Sequence, residues 1–220
     1  MESSLIHHAV LVSLTVSTLS TVLATGPGIA AGLVLALKRF RGREILITLL
    51  YTTLAFPTVV IGLLVYCALC RNGPLGNLGL LYTQAAIVIG QWVMIVPIIA
   101  TFTLSAVQRI DPAVLLTARS LGATGWRLHF AVIRESRFGI IAAVIAAFGR
   151  AVSEVGVSMI LGGNIHGYTR TMTTTIALEH DKGQFSEALW LGALLLGISL
   201  GINIVFHGLQ REPEDLHAGG

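Results

Sequence analysis

Residues Ala9–Leu37 read AVLVSLTVSTLSTVLATGPGIAAGLVLAL, an apolar run without one Asp, Glu, Lys or Arg. A helix that crosses about 30 Å of hydrocarbon needs roughly 20 such residues. Four further apolar stretches follow, at Ile45–Cys70, Leu80–Val107, Phe138–Leu161 and Ala188–Leu209. Backbone groups in lipid are satisfied only within a helix or in a closed barrel, and these runs lack the alternation of barrel strands. The sequence therefore predicts an all-α, polytopic membrane bundle of about five transmembrane helices. One domain covers residues 1–210, and a short polar tail covers 211–220.

Composition supports this reading. Only 11% of the residues are charged, against about 25% in soluble domains. The formal net charge of +3 does not point to nucleic acid, because the cations are sorted by membrane side. If the five spans alternate, Lys38, Arg39, Arg41, Arg43, Arg109, Arg119, Arg127, Arg134, Arg137 and Arg211 fall on one side. Arg71, Arg170 and Lys182 fall on the other, and Arg150 lies inside a span. The positive-inside rule then places the amino terminus outside and the carboxyl terminus in the cytoplasm. A cleaved signal peptide is a poor reading of the start, since no Lys or Arg precedes Lys38 and the apolar run far exceeds a signal core.

Several motifs are better read as packing than as chemistry. Gly26-Pro27-Gly28 and Gly32 lack dinucleotide spacing and follow no strand. Gly28 and Gly32 instead form a small-xxx-small helix face, and Pro27, Pro57 and Pro97 are expected to kink their spans. Cys67 and Cys70 sit in an apolar run and read as buried thiols, because a reactive pair needs a polar, pKa-lowering site. The seven histidines make no H-E-x-x-H or Cys/His cluster, no phosphate-loop motif occurs, and no G-x-S-x-G elbow occurs. Metal and catalytic sites are therefore not expected.

The most informative polar segment is 111–137, DPAVLLTARSLGATGWRLHFAVIRESR. Asp111-Pro112 is a helix start. Val114, Leu115, Ala118 and Leu121 recur at helical spacing, Gly122 permits a turn, and Thr124 is positioned to cap a second helix. Trp126, Phe130 and Ile133 share a face of that helix. Two short amphipathic helices around a glycine can be a DNA-binding motif or a headgroup-lying surface helix. Spans adjoin this loop closely on both sides, so docking into a groove of a cytoplasmic partner fits better than DNA.

The stretch Leu115–Arg127 resembles the coupling loop of permease subunits in binding-protein-dependent ABC importers. In that alignment Thr117, Ala118, Leu121, Gly122, Ala123, Trp126 and Arg127 are the coupling residues. Leu116-Thr117-Ala118 stands where the family has Glu-Ala-Ala, and Arg134-Glu135 where it has Leu-Pro. Phe148–Gly156, followed by Gly162-Gly163-Asn164-Ile165 and Gly167–Thr174, is similar to permeases of the tungstate-uptake type. These stretches cover about the third quarter of the chain. The resemblance implies a homodimer in a prokaryotic cytoplasmic membrane, two cytoplasmic ATPases that hold ATP and Mg, and an extracytoplasmic oxyanion-binding protein. This chain itself would carry no cofactor, catalyse nothing, and touch membrane lipid and not nucleic acid.

Arg150 and Glu154 are four residues apart, expected on one helix face within the fourth span, and intramembrane charges are costly enough to mark function. They form either a gate or pathway pair or a structural salt bridge. A conduit must release its anion, so neutral donors suit passage better than a deep cationic trap. Ser158, Asn164, Tyr168, Thr169, Thr171, Thr173 and Thr174 are the candidate donors, and Arg170 a candidate attractor at the outer mouth. Such residues are also ordinary loop composition. The expected function is oxyanion import, tungstate first. Molybdate or sulfate transport is the near alternative, and an intramembrane enzyme using Glu154 or His166, or a membrane scaffold, the distant ones.

Overall fold

The computed structural model describes residues 2–210, with positions 2–5, 112, 115, 118, 119, 126 and 205–210 described by backbone alone. The chain order is α1 (Glu2–Leu37), α2 (Arg43–Leu54), α3 (Thr58–Leu69), α4 (Gln84–Gln108), α5 (Pro112–Ser120), α6 (Trp126–Glu135), α7 (Arg137–Val152), α8 (Gly156–Gly162), α9 (Met172–Asp181) and α10 (Phe185–Gln210). No strand occurs among the described residues. The all-α expectation holds.

The helices α1, α4 and α10 are each long and apolar enough to cross a bilayer alone. The other two expected spans are not continuous helices. Helices α2 and α3 meet at 106° and α7 and α8 at 57°, so the count reaches five only if each bent pair makes one crossing. At the first corner Pro57 has φ −60° and ψ 126°. Proline lacks an N–H, and its ring pushes the preceding residue out of helical space. Position 57 thus ends one helix and starts another. By contrast α1 and α4 run on through Pro27 and Pro97. The polar segment between Gly162 and Glu187 contains α9. Its threonines are the reason: Thr171 accepts from the Thr174 amide while the Thr174 hydroxyl accepts from the Thr171 amide, a reciprocal capping box.

Helix α4 is the centre of the bundle. Ile95, Ile99 and Met94 pack with Ala24 of α1, Ile61 of α3, and Ala147 and Ala151 of α7. In lipid no hydrophobic force drives helices together, so close packing must hold them. Gly28 and Gly32 supply it. A Cβ at Gly28 would meet Ile99 Cβ at 2.7 Å, and one at Gly32 would meet the Ala100 carbonyl oxygen at 2.7 Å. A backbone oxygen cannot step aside. Gly32→Leu is therefore expected to destabilise the helical bundle by about 3 kcal/mol, the upper range of overpacking. Gly26→Ala, with open space around it, should be silent. Thermal unfolding in detergent micelles compares the two, and equal stability would refute the packing account.

Candidate functional site

The α7–α8 corner carries the two intramembrane charges. Helix α7 ends at Val152, and the Glu154 amide closes a tightened last turn on the Ala151 carbonyl at 3.2 Å. That turn keeps Arg150 and Glu154 within reach although the helix does not continue, which corrects the single-face reading. The Glu154 Oε2 accepts from Arg150 Nη1 at 2.6 Å, and its Oε1 accepts from the Val157 amide at 3.0 Å. One carboxylate thus pairs a cation in the last turn of α7 and caps the first turn of α8, where the helix dipole favours negative charge. The two partners differ in exposure. The Glu154 side chain is 1% exposed, whereas that of Arg150 is 39% exposed. The Glu154 backbone carbonyl accepts from the hydroxyls of Thr173, at 2.8 Å, and Ser158, at 3.3 Å.

All four candidate threonines are turned into the protein. Thr169, Thr171, Thr173 and Thr174 are buried. The Thr169 hydroxyl donates to the Gly162 carbonyl and accepts from the Ile165 amide. The Ser13 hydroxyl accepts from the Met172 amide at 2.8 Å, which ties α9 to α1. Their hydroxyls are engaged by the chain itself, because a buried polar group must find a partner. Tyr168 is exposed, and Arg170 and Asn164 are half-buried. Arg170 donates from Nε to Asn164 Oδ1 at 3.1 Å and from Nη2 to the Asn164 carbonyl at 3.3 Å. Neither acceptor is charged, so nothing in those bonds neutralises the guanidinium. It lines a cleft of about 630 Å³ with His8, His166, Glu187 and the Lys182–Glu179 pair, whose separation is 2.8 Å.

The loop between α4 and α7 is the expected helical pair. Asp111 Oδ1 accepts from the Ala113 amide at 2.8 Å, which starts α5. The turn uses Gly122 at φ +80°, a left-handed conformation that side chains other than glycine resist. Gly125, and not the Thr124 side chain, stands at the N-cap of α6. Val132 is buried against Leu33 of α1 and Val107 of α4, so the knob is seated on the bundle. Its outer surface carries apolar side chains: Leu121 is 82% exposed, and Leu116, Phe130 and Ile133 are exposed too. Thr117, Gly122 and Arg127 are exposed and Ala123 is half-buried. The side chains of Ala118 and Trp126 lie outside the described residues.

At the end of α3, Cys67 is exposed and Cys70 half-buried, contrary to the buried reading, and both are free thiols. No group of three or more His, Cys, Asp or Glu suited to a metal occurs among the described residues.

Residues 28–211 match the family described as the binding-protein-dependent transport system inner membrane component. The chain belongs to that family. Among its relatives, a probable anion ABC transporter permease protein of Haloferax volcanii is 39% identical over 87% of this chain and 85% of its own length. A tungstate uptake system permease protein, TupB, of Peptoclostridium acidaminophilum is 35% identical over 94% of this chain and 91% of its own. A chain of the MetNI methionine ABC transporter in an inward-facing conformation superposes with a TM-score of 0.79 at 16% identity, covering 96% of each chain.

The chain is thus the permease subunit of an ABC importer. The structure of this permease also brings together residues that periodicity did not single out. Gln91 of α4 and Ser20 of α1, both buried, bond each other, and Gln91 also donates to the Ala151 carbonyl at the α7–α8 corner. The available signal was an uncharged amide in the middle of the run QAAIVIGQWVMIVP.

Proposed function

We propose that this permease moves a tetrahedral oxyanion, tungstate first, through a homodimer served by two cytoplasmic ATPases and an extracytoplasmic oxyanion-binding protein. The amino terminus lies outside, and the Asp111–Arg137 loop and the carboxyl terminus lie in the cytoplasm, as the distribution of Lys and Arg directs. ATP and Mg act on the ATPase subunits. Their closure pulls the exposed knob of α5 and α6 and rocks the bundle between outward and inward access.

The observation that carries the anion reading is the asymmetry of the Arg150–Glu154 pair. The carboxylate is buried and holds the corner, while two-fifths of the arginine side chain stays open. A guanidinium presents five donors in a planar fork, which suits oxyanion oxygens. Its standing partner lowers the net charge of the site, so an anion is contacted without being trapped. The tungstate and anion permeases among its relatives support this substrate class.

The test is radioactive or mass-spectrometric tungstate uptake by the complete complex in liposomes, with molybdate and sulfate as competitors. Arg150→Lys keeps a cation beside Glu154 but removes the fork. The expected result is a KM for uptake raised about tenfold with assembly intact. Wild-type KM in that variant overturns the role of Arg150. Competition by sulfate as strong as by unlabelled tungstate overturns the tungstate assignment.

A further inference from the structure

Gln91 lies in the middle of α4 and is 1% exposed. An amide in an apolar interior is costly for each group left without a partner, and here both ends are used. Nε2 donates to the Ala151 carbonyl at 3.0 Å, and Oε1 accepts from the Ser20 hydroxyl at 2.8 Å. A carbonyl can only accept, so the amide orientation follows from chemistry.

The place of the first bond matters most. In an unbroken helix the Ala151 carbonyl would accept from the amide four residues on, but α7 stops at Val152. Carbonyls of a last helical turn lose those donors. The Ala151 carbonyl takes the Glu154 amide instead, and Gln91 supplies the second donor. It does so one residue from Arg150 and three from Glu154. Through Ser20 the same amide reaches α1, so three helices share one bonded point at the corner. An apolar side chain of similar volume would fill the same space without carrying polar groups into the membrane interior. Polar side chains there are rare and expensive.

We propose that Gln91 is a positioning residue for anion transfer, holding the Ala151 peptide so that the α7–α8 corner presents the Arg150 guanidinium at a fixed place. This rests on the reading of Arg150 as the anion contact. Gln91 itself does not touch the anion. Ser20 completes the device by engaging the oxygen end of the amide, which leaves Nε2 directed at the corner.

The experiment uses the full complex in liposomes with Gln91→Met and Gln91→Glu, measuring tungstate uptake against concentration and the yield of assembled complex. Gln91→Met fills the space but bonds neither partner. It is expected to assemble at wild-type yield and to raise KM about fivefold or more with kcat within about twofold. The carboxyl of Gln91→Glu can both donate to Ala151 and accept from Ser20 only when protonated. Its KM, relative to wild type at each pH, should therefore approach one as pH is lowered and rise toward the Gln91→Met value as pH is raised, since burial favours the neutral acid but alkali ionises it. A role in packing alone would leave no such profile. Wild-type KM in Gln91→Met, a Gln91→Glu ratio independent of pH, or failure of both variants to assemble overturns the proposal. Arg150→Lys keeps the two readings apart: a raised KM there with a silent Gln91→Met overturns only the positioning role, and a silent Arg150→Lys overturns the anion contact beneath it.

Discussion

Leu121→Asp should abolish uptake by the assembled transporter while leaving the permease folded. Leu121 is 82% exposed on the knob, and Leu116 and Phe130 are exposed too. An apolar side chain so placed gains little in the isolated subunit and acts as an anchor once an ATPase groove covers it. A carboxylate at the centre of such an interface must be desolvated without a partner, which costs about 3 kcal/mol or more. At about 1.4 kcal/mol per decade, affinity for the ATPase falls more than a hundredfold. The check is co-purification of the ATPase with the permease at defined concentrations, beside uptake in liposomes. Full ATPase capture with normal uptake would remove the docking role from this surface. Because Val132, and not Leu121, seats the knob on the bundle, detergent stability of the permease alone should not change.

The second large effect is expected at Glu154. Glu154→Leu removes the partner of Arg150 and the acceptor for the Val157 amide in one step. Breaking a buried pair from one side costs about 3–5 kcal/mol, and the partial exposure of Arg150 places this case near about 3 kcal/mol. Loss of the helix cap adds about 1 kcal/mol. The variant should show reduced stability in mixed-micelle unfolding and no measurable uptake. Adding Arg150→Met should recover much of the stability, since no unpaired charge then remains, while uptake stays lost. If the double variant were as unstable as the single one, the cost would lie in the corner itself and not in the orphaned cation.

Much of the architecture was legible from the chain. Twenty or more uncharged apolar residues in succession admit few structures in lipid, so α1, α4 and α10 followed from length and hydropathy. The knob followed from Asp111, the spaced apolar residues and Gly122, because a cap, a period and a left-handed turn residue are all local signals. The corners were not legible. Pro27, Pro57 and Pro97 look alike in sequence, yet only Pro57 turns the chain by 106°. Packing of α1 on α4 through Gly28 and Gly32 holds those two helices straight enough to continue, whereas α2 buries no side chain and nothing opposes the break. At Ser153 no proline or glycine announces a helix end. The break appears only because Glu154 finds the α8 amide and the hydroxyls of Thr173 and Ser158 find its carbonyl.

The candidate site divides along the same line. Arg150 and Glu154 stood out because charges are rare in such runs. The threonines after Gly167 looked like a polar lining, and their burial depended on partners far away in sequence, such as Ser13 for the peptide at Met172. Gln91 was overlooked for the same reason: an amide's role depends on where its two ends terminate, and both ends reach other helices.

By itself, then, the sequence determined the membrane class, the number of apolar stretches, the helical pair of the knob and the positions of the two intramembrane charges. Each of these follows from transfer cost and local backbone preference, which depend on neighbours within a turn or two. Only the tertiary structure decided where the second and fourth spans break, which threonines turn inward, and that Ser20 and Gln91 meet the Ala151 carbonyl. Those outcomes depend on which helix fills the space opposite, and hydrogen-bond partners across a bundle leave no mark on local periodicity.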